Sequence, residues 1–100
     1  MEEVDVVTAH NLQEQGAQLV DVREPHEYAG WHATGAVNIP LGRLEGRLDE
    51  IRRDATVLLI CQGGYRSAMA QDILARHNIT DTRNVAGGTD EWYSAGLPMT

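Results

Sequence analysis

The chain has no lysine and a single cysteine, Cys61, in its 100 residues. One thiol excludes an internal disulfide framework. No cysteine and histidine residues stand at zinc-site spacing, so no metal and no cofactor are expected. No apolar run approaches the ~20 residues of a membrane span. The opening residues, Met1-Glu2-Glu3-Val4-Asp5, are acidic where a signal peptide is basic. The expectation is a cytoplasmic protein that does not engage a membrane. Positive charge is also short: eight arginines against fifteen acids leave a net charge of −7, which argues against nucleic acid or anionic lipid as a general partner. What is present is a globular composition, 42% hydrophobic, without repeats, linkers or low-complexity tracts. This predicts one domain over residues 1–100 with one modest core, and a monomer.

Short β-rich runs alternate with short helical patterns along the chain, which predicts an α/β layer structure with a mostly parallel sheet. Val4 to Val7 reads as a strand. Thr8 can cap a helix that turns Ala9 and Leu12 inward, and Gly16 can stop it. Gln18 to Val22 reads as a second strand, and Pro25 suits the first position of a helical stretch running to Trp31. Ala36 to Ile39 reads as a short strand stopped by Pro40. Leu41, Leu44, Leu48 and Ile51 then share one face of a helix. Thr56 to Ile60 is apolar throughout, which predicts a central strand buried on both faces. Ser67 to His77 reads as a helix with Met69, Ala70, Ile73, Leu74 and His77 on one side. Arg83 to Val85 is a last strand. Gly87-Gly88 turns the chain into a helix capped by Thr89 or Asp90, carrying Trp92 and ending at Gly96.

The most informative stretch is Cys61-Gln62-Gly63-Gly64-Tyr65-Arg66-Ser67. A buried strand delivers the only thiol to its own C-terminal tip, where open α/β sheets bind ligands. Two glycines permit backbone conformations that aim consecutive N–H groups at one point. The following helix adds its positive end. Such a place favours thiolate, the nucleophilic form of cysteine. Arg66 can hold the anionic end of a substrate or brace the loop through its carbonyls. Ser67 reads as the helix cap, with a hydroxyl within reach of a substrate, and Tyr65 reads as an outward-facing rim.

Other chemistry-bearing residues read more plainly. His10, His26, His32 and His77 form no visible pair with Cys61. Asp21 and Arg23 read as a structural ion pair, Trp31 and Trp92 as core, and Glu2, Glu3 and Asp5 as a solvated face. No Gly-Lys-Ser/Thr follows the glycines, so the loop is not a nucleotide-phosphate loop.

Asp21-Val22-Arg23-Glu24, Glu27-Tyr28 and His32-Ala33-Thr34-Gly35-Ala36-Val37-Asn38-Ile39-Pro40 resemble the N-terminal signature of rhodanese-like domains. Cys61 to Ser67 resembles that family's active-site loop, and Gly87-Gly88, Trp92 and Gly96-Leu97-Pro98 its C-terminal signature. Trp31 stands where the family usually has glycine, and Thr34 where it usually has proline. The resemblance implies a three-layer domain with a five-stranded, mostly parallel sheet flanked by helices. It also implies sulfurtransferase chemistry. Cys61 would take a sulfane sulfur from thiosulfate or another persulfide donor and pass it to a thiol, cyanide or a sulfur-accepting protein. Gln62, Gly63, Gly64, Tyr65, Arg66 and Ser67 would bind the substrate, their backbone cradling the outer sulfur while Arg66 meets the donor's anionic group. The alternative is a non-enzymatic binding, regulatory or sulfur-carrier module, against which the retained cysteine speaks. Cysteine phosphatases and arsenate reductases are disfavoured. The phosphatase loop typically has five residues between cysteine and arginine, whereas four separate Cys61 from Arg66 here.

Overall fold

The computed structural model describes residues 2–100. In chain order the elements are β1 (Glu3–Val4), α1 (Val6–Glu14), β2 (Gln18–Asp21), α2 (Pro25–Gly30), β3 (Val37–Asn38), a 3-10 segment (Leu41–Glu50), β4 (Val57–Ile60), α3 (Tyr65–Arg76), β5 (Thr82–Val85) and α4 (Gly88–Ser94). The strands form one five-stranded sheet in the order β1-β5-β4-β2-β3, and every neighbouring pair is parallel.

The unbroken apolar run of β4 takes the centre of the sheet, and all four of its residues are fully buried. Its side chains alternate between two cores. Val57 and Leu59 join Val20, Val22, Leu44, Ala70 and Leu74 under α3 and the 3-10 segment. Leu58 and Ile60 join Val6, Ala9, Leu19, Val85 and Trp92 under α1 and α4. The result is three layers, helix over sheet over helix. Cys61 follows directly on β4, so the middle layer places it at the C-terminal edge of the sheet.

Several local expectations shift. The first strand stops at Val4 because Asp5 caps α1: its carboxylate accepts the Thr8 N–H at 2.8 Å, so Thr8 lies within the helix. Leu41–Glu50 forms a 3-10 segment with a break at Arg47, not an α-helix; Gly42 and Gly46 are poor helix formers there. The leucine face still turns inward, with Leu44 fully buried. Helix α3 starts at Tyr65, two residues before the expected Ser67, and it buries Ser67, Ala70, Gln71 and Leu74 while Met69 is exposed. Trp92 is in the core, but Trp31 is 57% exposed. No helix of the described residues is long and apolar enough to cross a membrane.

Candidate active site

Gly64 adopts a left-handed conformation (φ +109°) at the N-terminal cap of α3. This is the turn that folds the chain back over Cys61, and a side chain would strain it. Gly63 has no such requirement, and a Cβ there would meet nothing within 4 Å. The turn aims the Gly64 N–H at the Cys61 sulfur, which accepts it at 3.0 Å. Burial of Cys61 opposes its ionisation. The N–H groups of Ser67, Gly64 and Arg66, and the Ser67 hydroxyl when its hydrogen turns to the sulfur, favour the thiolate, and the net effect holds the thiol below its ordinary value. Of the six loop residues expected to line a cradle, Gly64 makes a backbone hydrogen bond to the sulfur, and the N–H groups of Arg66 and Ser67 add to the stabilisation of its charge.

Ser67 is not the helix cap. It lies in the first turn of α3 and is fully buried. Its hydroxyl sits 3.2 Å from the Cys61 sulfur and donates to Asn84 Oδ1 at 2.5 Å. Asn84, from β5, donates in turn to the Gly64 carbonyl at 3.0 Å.

Arg66 is turned to α2. Its two terminal nitrogens donate to the two carboxylate oxygens of Glu27 at 2.7 and 3.0 Å. No loop carbonyl accepts from its guanidinium among the described residues, so it braces the loop against a neighbouring helix and not through loop carbonyls. The pairing lowers the Glu27 carboxyl to about 2, chiefly through the Arg66 hydrogen bonds. Tyr65 points outward and is 79% exposed.

The other side of the loop rests on α4. Thr89 donates both its N–H (2.8 Å) and its hydroxyl (2.9 Å) to the Cys61 carbonyl, and the Asp90 N–H donates to the Gln62 carbonyl at 3.2 Å. The approach is so close that a Cβ on Gly88 would lie 2.5 Å from both carbonyl oxygens. Gly87, in a left-handed conformation, caps this helix; Thr89 and Asp90 lie inside it. The Gln62 side chain turns away from the sulfur. Its amide accepts from Arg23 at 2.9 Å and donates to Asp90. Arg23 is also paired with fully buried Asp21 at 2.9 Å, as the sequence suggests, and donates to the Trp31 carbonyl at 2.6 Å.

Residues 5–95 match the family described as Rhodanese-like domain. The chain is a rhodanese-like domain. Among its relatives, the "Uncharacterized protein YqhL" of Bacillus subtilis is 47% identical over 76 residues, covering 76% of this chain and 60% of that protein. "Thiosulfate sulfurtransferase 16, chloroplastic" of Arabidopsis thaliana is 32% identical, covering 95% and 89%. The "Putative sulfur carrier protein YrkF" of B. subtilis is 34% identical, covering 79% and 43%. The chain thus spans less than two thirds of the length of two of these three relatives. A rhodanese-related protein from Thermoplasma volcanium has the same fold, with a TM-score of 0.90 at 26% identity over 100% of this chain and 98% of that one.

Beside the rhodanese-like loop lies a groove of about 530 Å³ between α2 and α4. Arg23, Glu27, Trp31, Gln62, Asp90 and Tyr93 are among its walls. Cys61 does not line it, and neither does Tyr65, so the groove adjoins the loop without opening on the sulfur. Trp31 and Tyr93 meet edge to face across it, with ring centres 5.4 Å apart. The sequence motifs did not single out Glu27, Asn84, Thr89 or Asp90 as site residues, although Glu27 falls within the quoted N-terminal signature. The histidines have other surroundings than Cys61: His10 packs on Trp92, His26 is exposed on α2, His32 stacks on Tyr28, and His77 bonds Glu45.

Proposed function

We propose that this domain is a sulfurtransferase and that Cys61 is its persulfide carrier. The observation that carries the reading is the single thiol at the tip of β4, which accepts the Gly64 N–H and is held below its ordinary value by the loop, with four residues between it and Arg66. In the first half-reaction the Cys61 thiolate attacks the outer sulfur of thiosulfate. The S–S bond breaks and its electron pair leaves with sulfite. The new persulfide carries its charge on the terminal sulfur, which the loop N–H groups would hold. In the second half-reaction cyanide or a thiolate attacks that terminal sulfur. Thiocyanate or a new persulfide leaves, and Cys61 returns as thiolate. Arg66 would meet the sulfonate end of the donor with a forked pair of hydrogen bonds, sharing or exchanging Glu27 to do so. The chemistry needs no metal or organic cofactor, and a cytoplasmic setting, rich in thiol acceptors, suits it.

Intact mass after incubation with thiosulfate tests the proposal. The expected result is a gain of one sulfur atom, reversed by cyanide or a thiol and absent in Cys61→Ser. A Cys61→Ser protein that still turned thiosulfate and cyanide into thiocyanate would overturn it. A second reading, a sulfur carrier, draws on the likeness to YrkF and on the near-complete burial of Cys61, 1% exposed. A carrier loads once and discharges to a protein, whereas an enzyme shows ping-pong turnover with small substrates.

A further inference from the structure

We infer that Asn84 is a positioning residue that withholds the Ser67 hydrogen from the Cys61 thiolate. The orientation of the Asn84 amide is unambiguous. The Gly64 carbonyl can only accept, so the amide nitrogen faces it at 3.0 Å and the amide oxygen faces Ser67 at 2.5 Å. Two oxygens at that distance share a hydrogen, and Oδ1 has none to give. The one hydroxyl hydrogen of Ser67 is therefore committed to Asn84. Toward the sulfur, 3.2 Å away, Ser67 presents only lone pairs.

This arrangement closes a ring for the thiol. Gly64 N–H donates to sulfur, the S–H donates to Ser67, Ser67 donates to Asn84, and Asn84 donates to the Gly64 carbonyl. Every buried polar atom of the ring is satisfied. The thiolate breaks it, because one hydrogen must now serve two acceptors. Either the anion faces a lone pair, or Ser67 turns to it and leaves the buried Asn84 oxygen unpaired. Among the described residues, the charged side chains packed around the ring are already paired. Arg66 of α3 is bound to Glu27 of α2, Arg23 to Asp21 beside β2, and Arg83 of β5 to Glu2 and Asp81. Asp90 of α4 takes the Gln62 amide, and Glu45 of the 3-10 segment takes His77.

A consequence follows that rests on the sulfurtransferase reading. In the persulfide the charge sits on the terminal sulfur, and the inner sulfur needs no hydrogen from Ser67. The ring then keeps the Ser67–Asn84 bond at no cost. Asn84 thus favours the loaded cysteine over the bare thiolate and slows unloading.

The test is titration of thiolate ultraviolet absorbance, which reads Cys61 alone because it is the only thiol and needs no sulfur donor. Asn84→Ala should lower the midpoint by about one pH unit, roughly tenfold more thiolate below it. Ser67→Ala should leave the midpoint within a few tenths of wild type, and the double variant should match Ser67→Ala. A rise in Asn84→Ala, as loss of the loop brace alone would give, overturns the inference. So does a fall that persists without Ser67. Should Asn84→Ala not fold, Ser67→Ala still decides: a midpoint raised by a full unit would mean that Ser67 already donates to the thiolate. With persulfide loaded, Asn84→Ala should discharge to cyanide about threefold faster, as a lower leaving-group pKa dictates. If the titrations behave as stated but no persulfide forms, the sulfurtransferase reading fails and the role of Asn84 stands.

Discussion

Arg66 and Glu27 set a competition that single substitutions can read. An exposed ion pair contributes little, about 0.2–1 kcal/mol, and here the side chains are 31% and 25% exposed. Releasing Arg66 by Glu27→Gln should therefore lower the KM for thiosulfate by about twofold to fivefold. Arg66→Ala should cost about tenfold to hundredfold in kcat/KM with thiosulfate, while sparing an uncharged persulfide donor. Equal loss with both donors would assign Arg66 to the brace alone. The same pair predicts a pH dependence. The Glu27 carboxyl, 4.5 ordinarily, is lowered to about 2 by the Arg66 hydrogen bonds. Its stabilisation is fully present above pH 4.5 and disappears as pH falls toward 2. The gap in Tm between wild type and Glu27→Gln should be open at neutral pH and close across that window. A gap unchanged at pH 2 would place the effect elsewhere.

At the scale of elements, the site is a loop clamped between helix termini. Gly88 permits the closest approach, with φ +58° and two carbonyl oxygens 2.5 Å from where a Cβ would stand. Gly88→Ala should force α4 away, weaken the Thr89 and Asp90 bonds to the loop, and destabilise the fold by about 1–3 kcal/mol. Thermal melting measures the cost, and activity should fall at temperatures where the variant is still folded. Gly63→Ala, with open space and no positive φ, is the control. These elements also show what the sequence carried. The apolar run of β4, the glycine pair and the cysteine predicted a central strand and an anion loop, because burial on both faces and a thiol at a strand tip leave local marks. The predicted helix caps, Thr8, Ser67 and Thr89 or Asp90, instead lie inside their helices. Asp5 and two left-handed glycines start those helices. Ser67 and Thr89 look like caps because their hydroxyls bond backbone or neighbours, but their partners are across the fold, at Asn84 and the Cys61 carbonyl. A contact between α3 and β5, or between α4 and the loop, leaves no local pattern in sequence. That is why Asn84 and Glu27 were not legible as site residues, and why Trp31 was read as core.

At the scale of the whole molecule, net charge and site charge oppose each other. The domain carries −7 and the local cation Arg66 is already paired, while thiosulfate is a dianion. Diffusional approach should be repelled, so added salt should raise kcat/KM for thiosulfate, by roughly twofold to threefold from ~10 to ~150 mM. A fall with salt would mean that the local field of Arg66 and the loop N–H groups outweighs the global one. The two cores lie on either side of the sheet. The C-terminal tail is stitched to the turn before β3, with His32 and Thr100 exchanging backbone hydrogen bonds at 3.0 and 2.8 Å. The tail also holds the indole of Trp92, which donates to the Pro98 carbonyl at 2.8 Å.

The two tryptophans occupy opposite environments, one sealed in the core and the other 57% exposed at the groove. The molecule therefore contains two built-in fluorophores. Emission from Trp92 should be blue-shifted and shielded from iodide. Emission from Trp31 should be red-shifted, quenchable, and sensitive to anything that settles between it and Tyr93. Collisional quenching then separates events in the groove from opening of the core in one cuvette, without a label. Trp31→Phe should remove the quenchable component and leave the shielded one, which makes occupancy beside the loop measurable before its occupant is known.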